Sequence, residues 1–326
     1  MDAATFEALA RAAQQSARLA AKAEIGGVAE RLALRGASIP VGDDCAAIPD
    51  GDGHLLFAIE GFISGFVAAD PWFAGWCGIM VNLSDIAAMG GRPIAIVDAI
   101  WADGEPAAAA ILDGMKAASK AYGTPIVGGH SNLRTSQAQL AVAVLGRAGP
   151  RLLTSFDARP GDALVAAIDH RGAYREPFDN WQAALEAPSA RLRADLALLP
   201  EIAELGLARA AKDISQGGIP GTAIMLAESS GVAINLDLDA IEPPPGVSLG
   251  HWLKTFPSFG FLLSTAQRDA DALTARFRER DIHAAVIGEV RAGDEVALVS
   301  GSRRTVLRNW RRDRLLGFSP CAVSAP

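Results

Sequence analysis

The residues of this chain that could do chemistry fall in five short stretches. Asp43 and Asp44 are adjacent, between Gly42 and the small residues Cys45, Ala46 and Ala47. Neighbouring carboxylates repel each other, and are comfortable either in water or with a divalent cation between them. Glu60 is a lone acid in the apolar run 54–63. Such an acid needs an edge position, an ion pair or a metal. Asn82 and Asp85 lie in a run where Trp72, Trp76, Ile79, Met80, Leu83 and Ile86 recur at helical spacing. An amide and a carboxylate therefore project side by side from an otherwise apolar helix. Asp85 either pairs with an arginine or belongs to a metal or phosphate site. Gly128-Gly129-His130-Ser131 follows the short apolar segment 125–127. It suits close approach of backbone to a phosphate, and equally an ordinary turn. Asp213 precedes Gly217-Gly218 and a helical segment. That spacing makes Asp213 and Ser215 candidate N-caps, and the helix start a candidate anion site.

The elements that must position these residues can be read from pattern. Segments 54–63, 92–101, 125–127 and 139–147 read as strands of a first half, with helices over 72–89 and 105–122. Gly90-Gly91 and Pro93 end the first of these helices. Ala148-Gly149-Pro150 marks a junction, giving domains 1–149 and 150–326. In the second half, 163–168, 232–237, 259–264, 283–290 and 296–300 read as strands, 187–208 and 269–280 as helices, and 170–180 as a polar loop. The arm before residue 35 reads as helical with no chemical role, and the Arg-rich end as a surface tail. Each half is α+β, with helices on one face of a mixed sheet.

Composition narrows the function. The net charge of −7 argues against a nucleic-acid or anionic-membrane partner. No apolar run is long enough to span a bilayer, and no signal peptide is evident. Three scattered cysteines (Cys45, Cys77, Cys321) suit a reducing compartment, so the cytoplasm is the expected location. Cys45 reads as core, as do the tryptophans.

Taken in order, these motifs resemble the superfamily of aminoimidazole ribonucleotide (AIR) synthetase, which includes thiamine-monophosphate kinase, selenophosphate synthetase and a hydrogenase-maturation dehydratase. The likeness runs from about Gly42 to Val290. It implies a two-domain α+β fold, with N-terminal mixed sheets pairing into a dimeric β-barrel and a C-terminal α/β sandwich. It also implies ATP and Mg²⁺ as cofactors, a homodimer, and a small-molecule substrate that is phosphorylated or activated by phosphorylation. By matching position, Asp43, Asp44, Glu60, Asp85 and Asp213 would be metal ligands or their neighbours. Asn82, Gly129, Ser131, Gly217 and Gly218 would hold nucleotide, and Asp43, Asp85 and His130 would serve catalysis by positioning and charge neutralisation. Two positions depart from the pattern: His130 stands where thiamine-monophosphate kinase and AIR synthetase carry an acid, although selenophosphate synthetase has a similar Gly-Gly-His-Ser turn, and Glu60 replaces a usual Asp. No reactive cysteine arm precedes Gly42, which argues against selenophosphate synthesis. The departures motivate a competing reading, a catalytically inactive nucleotide-binding dimer with a regulatory or assembly role.

Overall fold

The computed structural model describes residues 1–34 and 39–317; Cys321 and the last residues of the tail lie outside them. The described residues form two compact units. A unit built on a seven-stranded sheet takes Met1–Asp43, Leu153–Leu185 and the chain from Leu205 onward; a unit built on a five-stranded sheet takes Asp44–Leu152 and Glu186–Glu204. The chain thus changes unit close to the junction read at 148–150. The N-terminal arm and the segment 186–204 each join the unit that a linear division would not give them.

The arm holds α1 (Ala3–Gln14), α2 (Ala17–Lys22) and α3 (Glu24–Arg31). Its Phe6, Ala10, Leu19 and Ala29 are buried in the core of the seven-stranded unit, so apolar burial decides its allegiance.

The five-stranded unit contains β1 (Ala46–Asp50), β2 (Gly53–Phe62), α4 (Ser64–Ala69), α5 (Pro71–Ala88), β3 (Arg92–Asp103), α6 (Gly104–Tyr122), β4 (Ile126–Asn132) and β5 (Arg134–Ala148). The strand order is β1-β2-β5-β3-β4, with β3 and β4 parallel and the other pairs antiparallel. α5 starts as its sequence dictates: the Asp70 side chain accepts the Phe73 amide at 3.2 Å and Pro71 opens the first turn. Gly90, at φ 73°, ends it. α5 and α6 meet backbone to backbone. A Cβ on Gly75 would lie 2.0 Å from the Ile111 carbonyl oxygen, and one on Gly114 1.9 Å from that of Trp72, so neither position admits a side chain. On its sheet side, Gly78 of α5 sits over Val142. Leu56, Ile96, Ile100, Val142 and Val144 are fully buried on the sheet face under the helices. Side chains alternate across a sheet. The other face carries Phe57, Ile59 and Val97, which are 48%, 66% and 41% exposed.

Residues 128–131, which the sequence suggests form a turn, instead continue β4. Parallel pairing with β3, from Val97↔Gly128 to Trp101↔Asn132, gives their backbone groups the partners that keep them extended.

The chain then forms β6 (Asp162–Ile168), β7 (Ala173–Tyr174), β8 (Asn180–Gln182), α7 (Ser189–Leu196) and α8 (Leu198–Leu205). Segment 186–204 is tied within the five-stranded unit by Arg92, whose guanidinium meets Glu204 at 2.5 Å. The remaining elements are β9 (Ala210–Asp213), α9 (Gly218–Ser230), β10 (Ala233–Asp237), α10 (Leu249–Trp252), β11 (Phe256–Pro257), β12 (Gly260–Ala266), α11 (Ala270–Arg278), β13 (His283–Arg291), β14 (Glu295–Ser300) and β15 (Arg303–Asn309). The large sheet runs β15-β14-β10-β13-β6-β12-β9. The expected polar loop 170–180 contains β7 and the start of β8, which with β11 form a small separate sheet. The Arg-rich segment lies largely on the surface, as expected, but it is tied to the fold. β15 pairs with β14, and the buried Glu228 carboxylate accepts the amides of Leu315, Leu316 and Gly317 at 2.7, 3.1 and 2.8 Å.

Candidate functional site

Within the five-stranded unit the structure brings two of the singled-out acids together. Asp44 lies in a bend just ahead of β1, half-buried. Asp85 is buried on the last full turn of α5, 6% exposed. Each offers a carboxylate oxygen within 4.8 Å of the other's. Asn82, one turn earlier on α5, is fully buried. Its Nδ2 donates to the Gly78 carbonyl at 2.7 Å, while its Oδ1 is buried with no hydrogen-bond partner among the described residues. An orphaned buried acceptor costs about 1–3 kcal/mol unless something donates to it or coordinates it. Two carboxylates and an amide oxygen are the hard oxygen donors that suit Mg²⁺, which takes one or two carboxylates and completes its shell with water and phosphate oxygens. The residues present therefore fit such an ion chemically.

The remaining candidates are placed as follows. Glu60 is near the end of β2, exposed, in register with Val142 and through it with Asp98. Gly129, His130 and Ser131 are consecutive on β4, so His130 points to the opposite sheet face from Ser131. Asp43 belongs to the seven-stranded unit, where its carboxylate accepts the Ser155 amide and hydroxyl at 2.9 and 2.6 Å.

Asp213, in the seven-stranded unit, is the last residue of β9, paired with Phe261 and 7% exposed. The capping role that its spacing allowed is not realised. The N-cap of α9 is Gly217, with no side-chain bond, and Ser215 contributes its carbonyl, which accepts the Gly218 amide at 2.9 Å. Gly218 takes φ 64°, and a Cβ there would fall 2.1 Å from the Leu253 carbonyl oxygen. The glycine pair is thus required by packing, whatever else it does.

One acid escaped the sequence reading. Asp98, on β3, shares the helix-covered face with Ile96 and Ile100, and burial pushes its carboxyl above the usual range. A Cβ on Gly129 would fall 2.5 Å from Asp98 Oδ2, so the glycine makes room for the carboxylate. The signal available was alternation, which puts Asp98 in phase with the buried isoleucines.

Residues 42–148 match the N-terminal domain of AIR synthase related proteins, and residues 162–301 match their C-terminal domain. An uncharacterized protein of Synechocystis sp. is 45% identical over 292 residues, 89% of this chain and 90% of its own length. A selenide, water dikinase of Geobacter metallireducens is 26% identical, covering 79% and 86%. Among solved structures, AaThiL complexed with AMPPCP and TMP superposes with a TM-score of 0.65 at 21% identity, over 86% of this chain and 96% of that one. Thermotoga maritima PurL complexed with ATP gives 0.70 at 19% identity, over 85% of this chain and 46% of the longer one, so this chain spans about half of it. These likenesses show the mixed α+β fold of AIR synthase-like proteins. The two domain matches together cover well over half of the sequence: the chain belongs to the AIR synthase related family.

Proposed function

We propose that the protein binds ATP with Mg²⁺ and phosphorylates, or activates by phosphorylation, a small metabolite. The observation that carries this reading is the Asp44–Asp85 pair, with Asn82 one turn earlier on α5 and its buried oxygen unpartnered among the described residues. Support comes from relatives: one is named for kinase activity, one solved structure holds ATP and another AMPPCP. Asp44 and Asp85 are assigned as cation ligands, and Asp213 to the same cation by its matching position in the family. A cation bound there would supply charge neutralisation for the phosphates. The protein's own residues hold the nucleotide in place, with Asn82, Gly129, Ser131 and the Gly217-Gly218 turn as contacts. Phosphoryl transfer needs little covalent help from a protein, so positioning is the main contribution asked of them.

The protein is further read as a cytoplasmic homodimer. The exposed Phe57, Ile59 and Val97 face of the five-stranded sheet is the surface assigned to the partner copy, and Cys45 and Cys77 are buried and not joined in a disulfide. A second reading, nucleotide binding without turnover, is favoured by His130, which stands where thiamine-monophosphate kinase and AIR synthetase carry an acid, and by Glu60, which replaces a usual Asp. Calorimetric titration with Mg·ATP tests the shared part, and ADP release with candidate metabolites separates the two. Absence of any heat with Mg·ATP would sink both.

A further inference from the structure

Asp98 stands where a carboxylate costs the fold something. It is half-buried on the helix-covered face of β3, between Ile96 and Ile100, and makes no hydrogen bond or ion pair with any described residue. Burial raises its carboxyl, with no cation or donor opposing it. Its neighbours across the sheet are Val142 on β5 and Gly129 on β4. Val142 lies under Gly78 of α5, whose carbonyl accepts from Asn82 Nδ2 at 2.7 Å. Ser131, in register with Ile100, is on the same face as Asp98. The carboxylate is thus flanked by residues assigned above to the nucleotide, the Asn82 turn of α5 on one side and Gly129 with Ser131 on the other. All of them belong to the five-stranded unit.

Gly129 leaves room for this carboxylate at the open side of the sheet. β4 is an edge strand, and Gly128, Gly129 and Ser131 are exposed on it. A Cβ on Gly129 would fall 2.5 Å from Asp98 Oδ2 and 2.8 Å from its Cγ, so a side chain there would drive the carboxylate away.

A carboxylate among phosphate contacts repels the nucleotide and does not help to bind it. It suits a partner that must give up a proton. Transfer of a phosphoryl group to a hydroxyl or an amide needs a base, because the attacking group is neutral, whereas an ionised carboxylate acceptor needs none. A base is better matched to neutral pH when its surroundings already disfavour its charge.

We propose that Asp98 is the general base of the reaction, and that the acceptor admitted over Gly129 is a small molecule bearing a hydroxyl or amide group and not a carboxylate. This role rests on the ATP-dependent activity proposed above. The acceptor oxygen forms a bond to the γ-phosphorus. The bond from that phosphorus to the β–γ bridging oxygen breaks, and ADP leaves with the electron pair. The acceptor's O–H or N–H proton passes to an Asp98 carboxylate oxygen.

The test follows conversion of γ-labelled ATP with Mg²⁺ by an excess of the full-length chain, in water alone and with glycerol, acetamide or acetate as acceptor probes. Calorimetric titration with Mg·ATP and apo thermal melts run alongside. Water must itself lose a proton, so plain hydrolysis already reads the base. Asp98→Asn should bind Mg·ATP within about twofold of the parent, melt higher without ligand, and convert ATP about a hundredfold more slowly. A purely structural acid would not give a more stable and slower protein together. Added formate should restore conversion in Asp98→Ala, where it can occupy the vacated space, and not in Asp98→Asn. Acetate should give the parent no gain over water, and any gain from glycerol or acetamide should vanish in Asp98→Asn. Three results overturn the proposal. Parental conversion by Asp98→Asn removes Asp98 from the chemistry. A loss of Mg·ATP affinity of about tenfold or more in Asp98→Asn makes it a cation ligand instead. Acceleration of the parent by acetate refutes the acceptor class. A parent that binds no Mg·ATP fails at the ATP reading itself, whereas one that binds Mg·ATP without converting it keeps nucleotide binding and loses the base.

Discussion

The two sheets of this protein are finished in different ways. In the seven-stranded unit, every residue of β6 is buried, and the N-terminal arm adds Phe6, Ala10 and Leu19 to the same core. In the five-stranded unit, β2 alternates. Leu56 and Ala58 are buried under the helices, while Phe57 and Ile59 lie open on the other face. A strand buried on both faces reads as continuous apolar sequence, and a strand buried on one should alternate with polar residues. β2 breaks that rule by being apolar on both faces with only one covered. The five-stranded unit thus carries an exposed apolar face, the one proposed above for a second copy, and it also carries the acids on α5 and ahead of β1.

The largest effect is expected where the seven-stranded unit closes over Glu228. Glu228 is fully buried and accepts three backbone amides from residues 315–317. Glu228→Leu leaves those donors without an acceptor, at about 1–3 kcal/mol each if they stay buried. The expected outcome is a loss of about 3 kcal/mol or more in denaturant unfolding of the seven-stranded unit. A midpoint equal to the parent's would mean that the contact with residues 315–317 contributes nothing to that core.

The open face gives the next largest effect. Ile59→Glu puts a charge in the middle of the exposed apolar surface without touching the helix-covered side. If a second copy covers that face, the charge must be buried unpaired, and dimerisation should weaken by about a hundredfold or more. Light scattering at micromolar concentration should then report a dimer for the parent and a monomer for the variant. A parent that is already monomeric removes the role assigned to this face.

How much of this was legible beforehand depends on where the deciding partner lies. α5 could be read closely because its determinants are local: Asp70 and Pro71 at the start, the apolar period within, Gly90 at the end. β4 could not, because Gly128-Gly129-His130-Ser131 has the composition of a turn and its extended state comes from pairing with β3, far back in the chain. The Asp43–Asp44 pair shows the same limit at a single residue. Nothing local distinguishes the two aspartates, and what separates them is Ser155, 112 positions away. For Asp98 the phase with Ile96 and Ile100 is visible in the sequence, but which face of β3 the helices cover is set by packing and not by local sequence.

The acids offer a finer comparison, one from each unit. Asp85→Asn should weaken Mg·ATP binding tenfold to a hundredfold, about 1.4–2.7 kcal/mol, with little change in apo melting. Asp213→Asn should likewise keep apo melting and lose the Mg·ATP-induced shift, since stabilisation by a ligand follows its affinity. With Gly217 at the N-cap of α9, helix capping no longer competes as an explanation for Asp213. Calorimetry and thermal melts with and without Mg·ATP read both variants. An unchanged shift in Asp213→Asn would leave nucleotide binding to the five-stranded unit alone.

The smallest effect separates the units by the sign of their response to pH. In the seven-stranded unit, the His170 and His283 rings stack with centroids 4.2 Å apart, and Trp252 meets His170 edge-on. Burial, then the charge of His283, holds His170 down to about 4, against the opposing pull of Asp169. Burial also lowers His283, with Glu242 opposing and Arg278 reinforcing. Both groups have folded values below their unfolded ones, so the unfolded chain binds the extra protons. Their contribution is full above about pH 6.5 and is lost on acidification, for His170 as the pH falls toward about 4. Asp98 in the five-stranded unit acts in the opposite sense. Burial raises its carboxyl, so the folded form takes up a proton first and acidification relieves the cost of its charge. Between pH 7 and 5 the parent should lose about 2–4 °C in melting temperature, a modest change because both rings are partly open to water. His170→Gln should flatten that slope, whereas Asp98→Asn should raise the melting temperature at pH 7 and leave the histidine slope in place. If His170→Gln melts with the parental slope, the stacked pair is not what makes the seven-stranded unit sensitive to acid.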